Sequence, residues 1–277
     1  MVVTVSSPNN RSWYLNWLNI SVRLVKFVVL AFIALIIYGI LLDTIFTRKI
    51  HIFTYILFWL FTAYIVLPRL NRWLTKLYVP DYFIGRARTG DGLLGDPVNL
   101  ALDGSEEQII ACMRKAGWTP AEKLTLKASI KMIVASVFGR SYPNAPVSSL
   151  YLFGSKQDLA FQREINRNPR KRHHVRFWKT PEGWYLPGGN RTDWLGAATY
   201  DKHVGLSLFT GQITHKINAD VDKERDFVVD TMQASGLVKS TKIVEHFTTS
   251  YHARNGGGDR IHTDGALPFM TLKDTAS

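Results

Sequence analysis

Arg170 to Trp178 reads RKRHHVRFW, four Lys/Arg and two histidines in nine residues. If the run is a strand, its side chains alternate. Arg172, His174, Arg176 and Trp178 then share one face, and His173, Val175 and Phe177 share the other. Two guanidiniums beside an imidazole suit phosphate or carboxylate, which arginine clamps bidentately. Arg172, His174 and Arg176 are therefore the anion-binding candidates. The other reading is a solvated edge strand that uses positive charge against aggregation.

Five more histidines of the polar part stand at His203, His215, His246, His252 and His262. Asp201 and His203 are two apart, on one strand face unless Tyr200-Asp201-Lys202 is a turn. His174, Asp201 and His215 are candidates for acid–base work if separate strands bring them together. Asp201, His203 and His215 are candidates for a divalent metal, and Asp158 lies in another such run. There is no HExxH or Cys–His zinc spacing, and no recognised motif requires a cofactor. Ser141 and Ser207 are outside any GxSxG elbow. Cys112, the one cysteine, lies on an apolar helix stripe beside Met113 and reads as core. Alone, it excludes an internal disulfide framework. Trp178, Trp184 and Trp194 read as sheet core or loop packing rather than as platforms for base stacking.

The elements that must position these residues follow a membrane anchor. Phe27–Leu42 and Ile50–Leu67 are apolar runs without a formal charge, separated by DTIFTRK. They predict a transmembrane helical hairpin with spans at about 24–46 and 50–67, within an anchor covering 1–77. Trp13, Tyr14 and Trp17 before the first run and Trp73 and Tyr78 after the second are interfacial residues. Of the net charge of +12, residues 1–77 hold +7, from eight Lys/Arg and one acid. The basic outer flanks outweigh Arg48 and Lys49 in the turn, which places both termini and the following domain in the cytoplasm. The remainder holds +5, and Arg163–Lys179 alone holds +6, so its other residues sum to about neutral. That is not the broad basic coat of a nucleic-acid protein.

Residues 85–99 (GRARTGDGLLGDPVN) read as a linker closed by a turn at Gly95-Asp96-Pro97. The soluble domain, 78–250, opens with a strand at Val98–Leu102. A capping box, Ser105 to Gln108, starts a helix ending at Gly117, and a second helix is expected over Ala121–Phe138. The strand-like runs SSLYLFG, DLAFQREI, HHVRFWK, WLGAATY, HVGLSLF and THKINAD follow, with a turn at Tyr200-Asp-Lys. Asp222 caps a further helix, and STKIVEHFTT is the last strand. Residues 251–277, with NGGGD, read as a disordered tail. The fold class is α+β: a two-helix transmembrane hairpin, then a mostly antiparallel sheet with flanking helices.

GDPVNLALDGSEEQ, AGWTPAE, LYLFGSKQDLAFQ, RHHVRFW, WLGAATYDKHVGLS and TGQITHKI occur in that order. Together they resemble the C-terminal domain of the LssY family of bacterial membrane proteins, over about Tyr78–Thr248. In that family the domain is often joined to multi-span modules, some similar to lipid-phosphate phosphatases. Here only two spans precede it, so no phosphatase activity carries over. The resemblance implies a bacterial inner-membrane protein and brings no catalytic residues. The leading functional expectation is a binding or accessory module for an anionic lipid headgroup or acidic partner at the bilayer. The alternatives are a membrane-tethered hydrolase, on phosphoesters, built from His174, Asp201 and His215, and a structural partner of another membrane protein. Nucleic acid is not an expected partner. Convergence separates them: an enzyme needs its histidines and aspartate in one concave pocket, whereas a binding module needs an open cationic face.

Overall fold

The structure is a computed structural model that describes residues 29, 32–33, 35–40, 43, 52–78, 85–122, 125, 128, 131, 142, 144–165, 168–186, 189–248 and 252–274. The chain divides into two compact units, Met1–Thr62 and Ala63–Ser277. Among the described residues one helix, Ile52–Leu74, is long and apolar enough to cross a membrane, 23 residues with a mean hydropathy of 1.6. It comprises α1 (Ile52–Phe61), a π-helical turn (Thr62–Val66) and the start of α2 (Leu67–Tyr78). Pro68 lacks the N–H that a regular helix would return to the preceding turn, and the π turn lies just before it. Ile52, Phe53, Leu57, Leu60 and Ile65 are exposed, as lipid-facing side chains would be. Of the expected first span, scattered residues from Val29 to Asp43 are helical, and Tyr38 lies 5.1 Å from Phe58 between ring centroids. The rest of that span and the joining turn lie outside the described residues, and so does most of the helix expected at Ala121–Phe138.

The second unit is mixed α+β. Its strands are β1 (Arg86–Thr89), β2 (Leu94–Pro97), β3 (Leu100–Asp103), β4 (Thr119–Pro120), β5 (Leu150–Leu152), β6 (Ser155–Lys156), β7 (Leu159–Ile165), β8 (Asn168–Lys179), β9 (Trp194–Leu206), β10 (Ile213–Ile217), β11 (Val238–Val244), β12 (His252–Arg254), β13 (Arg260–His262) and β14 (Leu267–Leu272). The large sheet runs β11-β14-β3-β9-β8-β7-β4, with β10 also on β9. A small sheet runs β2-β1-β5-β6. The large sheet is antiparallel except where β14 pairs with β3.

Helices α3 (Glu106–Lys115) and α4 (Asp222–Ala234) supply residues to the core on one face of the large sheet. Ile109, Cys112 and Met113 on α3, and Val228, Val229 and Met232 on α4, recur at helical spacing and meet Val175 and Phe177 there. The core on the other face joins Trp178, Leu195 and Ala197 to Ala87 and Leu150 of the small sheet. The capping box forms as expected, with Ser105 Oγ accepting from the Gln108 N–H. Gly196 on β9 lies under the buried Phe177 ring, and a Cβ there would sit 2.8 Å from a ring carbon. Gly196→Ala should therefore cost about 1–3 kcal/mol, read as a lower denaturant midpoint at unchanged slope.

Four expectations need correction. Tyr200-Asp201-Lys202 is no turn, because β9 continues unbroken through it and pairs along β8 and then β10. The linker at 85–99 holds the β1–β2 hairpin. Asp222 is the first helical residue rather than the cap, which is Val221. Its carboxylate instead accepts from Thr263 Oγ1 at 2.7 Å and from the Asp264 N–H. The expected disordered tail contains the β12–β13 hairpin and β14, which sits inside the large sheet between β11 and β3. Its glycine tract is a turn, in which Asn255 Oδ1 accepts from the Gly257 and Asp259 N–H groups. The apolar run Leu267, Pro268, Phe269, Met270 was masked by the polar composition around it.

Candidate active site

Strand register builds the site. Across β8 and β9, Arg172 faces Asp201, His174 faces Thr199 and Arg176 faces Ala197. Opposed residues point to the same side of a sheet, so the alternation in RKRHHVRFW delivers a row of polar side chains toward the small sheet. From β7, Gln162 lies opposite His174. The first residues of β9 pair with β3, while its last six residues pair with β10. A register shift between Lys216 and Ile217 accompanies the seating of His215 beside Asp201. Asp96 comes from β2, and Ser148 from the segment before β5.

Asp96, Ser148, Arg172, His174, Arg176, Asp201 and His215 line one cavity of about 240 Å³, with Thr214 and the Asn255–Gly257 turn. Asp201 Oδ2 is its hub. Arg172 Nη2 donates to it at 3.2 Å, while Nδ1 of His174 and Nδ1 of His215 stand 3.5 and 3.6 Å away. Arg172 Nη1 donates to Gln162 Oε1 at 3.0 Å, and Nη2 lies 3.3 Å from Nε2 of His215. Arg176 Nη1 donates to Asp96 Oδ2 at 2.7 Å, and its other nitrogens donate to Ser148. The Thr199 hydroxyl donates to Asp96 at 3.2 Å and lies 2.6 Å from Nε2 of His174. That arrangement assigns a proton to His174 Nε2, which donates to Thr199. Arginine only donates, so His215 Nε2 accepts from Arg172 and its neutral ring carries its proton on Nδ1, toward Asp201. His174 Nδ1, His215 Nδ1 and Arg172 Nε are buried without a hydrogen-bond partner.

The titrations diverge. Burial works against ionising His174, yet the adjacent Asp201 charge outweighs it and raises the pKa above the ordinary 6.5. Burial lowers the pKa of His215, and Arg172 and the other cations limit what Asp201 restores. Burial opposes ionisation of Asp201, but His174, His215 and Arg172 hold its pKa far below the usual carboxylate range. Asp96 is also lowered; burial opposes this, and His174 and Arg176 overcome it.

Arg172, His174 and Arg176 therefore do not make an open cationic face. They are 2%, 4% and 3% exposed, on an inner strand, with their charges offset by Asp96 and Asp201. His174, Asp201 and His215 converge as acid–base work requires. His203 is exposed on β9, paired opposite Lys216, and is not part of the cavity lining. Among the described residues no cluster of three or more His, Cys, Asp or Glu has the geometry to hold a metal. The guanidiniums of Arg172 at the hub and Arg176 on Asp96 also oppose a divalent cation in the cavity. Asp158 accepts from the Lys179 N–H, and Ser207 Oγ donates to Gly256. Cys112 is buried, its thiol 3.4 Å from Ser235 Oγ and its pKa pushed up by burial, which makes it core. Asp96 was missed because Gly-Asp-Pro reads as a turn, and Thr199 because a threonine in an apolar strand carries no signal of its own.

On the opposite face of β8, His173 Nδ1 meets Glu224 Oε2 of α4 at 2.6 Å and stacks on Phe227, with ring centroids 4.1 Å apart. This second cavity, of about 200 Å³, is separated from the first by the sheet itself.

A mixed α+β domain with a buried Asp–His–Arg cluster at the base of one cavity is the class that fold and site define. The chain belongs to the LssY C-terminus family, whose model matches residues 76–267. No curated protein matches the chain, and no solved structure does.

Proposed function

We propose that the domain is a membrane-tethered hydrolase acting on small anionic esters, of the phosphoester class, with His215 as general base and His174 as general acid. One observation carries the reading: two histidines share one aspartate oxygen in a cavity, and their pKa values are displaced in opposite directions. Such divergence is how acid and base roles are assigned to like groups at one pH. The Asp201 charge, 3.6 Å from Nδ1, favours the neutral His215 with its proton on that nitrogen, and Nε2 takes a proton from water once Arg172, which donates to it at 3.3 Å, turns to the substrate. The water oxygen attacks the ester centre, and the leaving oxygen takes the proton from Nδ1 of His174. Arg172, with Nε unpartnered, faces the negative charge of the substrate and of the transition state. A cluster built only for stability would gain little from burying two ion pairs, since well-packed apolar residues serve as well.

In this reading the apolar helix is one half of the two-span anchor, with the Tyr38–Phe58 contact in its favour, and the domain faces the cytoplasm of a bacterial cell. The purified full chain should release nitrophenolate from para-nitrophenyl phosphate or its diester above the buffer rate, and His174→Gln should lose that release while remaining folded. A folded wild-type protein inert toward both esters would overturn the proposal.

A further inference from the structure

The hairpin joining β9 to β10 is built inside out. Its outward side chains are apolar: Leu206 is 57% exposed, Leu208 67% and Phe209 44%. Its polar side chains turn inward, with Ser207 and Thr210 buried. Residues 206–212 carry no charge. Four of its backbone N–H groups are paired within the protein: Ser207 to Gln212 O at 2.7 Å, Leu208 to Gly257 O at 3.0 Å, Thr210 to Ser207 Oγ at 3.2 Å and Gly211 to Ser207 O at 2.9 Å. A hairpin tip in water needs neither feature. Both features favour hydrocarbon, where no solvent is there to satisfy a free amide and apolar side chains are favoured outward.

A second observation sets the depth. Gln212 Nε2 donates to the Ala63 carbonyl at 2.9 Å. Ala63 lies within the membrane-length helix, six residues before Arg69, the first charge that ends its apolar run. At about 1.5 Å per residue this is about 9 Å below the level of Arg69.

We infer that the β9–β10 tip is inserted in the lipid bilayer beside the helix, and that the cavity consequently takes its substrate from the membrane surface. This rests on the membrane-tethered reading above. His215 follows Gln212 by three residues, a reach of at most about 10 Å, so the site cannot stand far from the headgroups. The Gly256–Gly257 rim of the cavity is bonded to the same hairpin through Ser207 and Leu208. The substrate class narrows to anionic lipid headgroups.

The test uses the full chain in nanodiscs of phosphatidylcholine and phosphatidylglycerol. Phe209→Cys in a Cys112→Ser background carries an NBD label, Leu206→Cys is a second position, and Lys239→Cys is the exposed control. Insertion predicts several-fold weaker iodide quenching at 209 and 206 than at 239, with quenching by spin-labelled acyl chains at the tip alone. Iodide quenching at the tip equal to that at 239, with none from the acyl chains, would overturn the inference. No turnover is needed for this readout, so its failure is distinct from failure of the hydrolysis assay.

Discussion

Asp201→Asn should cost the folded domain about 3–5 kcal/mol and abolish turnover, as expected when one partner of a buried ion cluster is removed. The carboxylate oxygen that is lost is the common partner of Arg172, His174 and His215. The neutral amide leaves the Arg172 guanidinium, 2% exposed, without its countercharge. His174 can respond by giving up its proton, because the charge that raised its pKa is gone, but arginine cannot. The pH dependence of stability has a definite sign. Asp201 and Asp96 are both held below the ordinary 3.8. Their contribution is fully present above that value and is lost as pH falls through the folded-state values. Asp201→Asn forfeits its share at every pH, so its denaturant midpoint near neutrality should drop and its acid-unfolding profile should flatten. A midpoint near the wild-type value would mean that the cluster is solvated rather than buried.

His215→Gln should show the contrasting behaviour. The amide retains an acceptor for Arg172, and the position is the most open of the hub, with its side chain 21% exposed. Stability should therefore remain near wild type. The proton acceptor is lost, and general-base catalysis contributes about 10²–10⁴-fold, so kcat should fall by that factor. KM should change little, since Arg172 still faces the substrate. A variant with full kcat would remove His215 from the chemistry and leave the cluster as a buried polar network.

Much of the site was legible because strand alternation is a local rule. Arg172, His174 and Arg176 do share a face, and His173, Val175 and Phe177 take the other. Alternation gave the row but not its surroundings. Arg176 meets Asp96 across 80 residues of sequence, and that carboxylate looked like part of a turn. With neither countercharge assigned, the basic run read as a surface cation patch, whereas register across β9 buries and neutralises it. A similar blindness affected β14: a gap in the sheet waiting for a strand is a tertiary fact, and the short apolar stretch at Leu267–Leu272 stood out only once β3 and β11 offered partners on both sides. The start of α3, set by the near neighbours Ser105 and Gln108, was read more easily.

The acid–base assignment is tested most directly by the pH dependence of kcat/KM for ester hydrolysis by the full chain. His215 must be neutral and His174 protonated. Activity should rise as pH climbs through the His215 pKa, below 6.5, and fall as it passes the His174 pKa, above 6.5. The result is a bell with its plateau about the ordinary imidazole value, nearly insensitive to salt because the charges are buried. A salt-screened association with anionic lipid, without turnover and without either limb, would contradict the account and restore the accessory binding module.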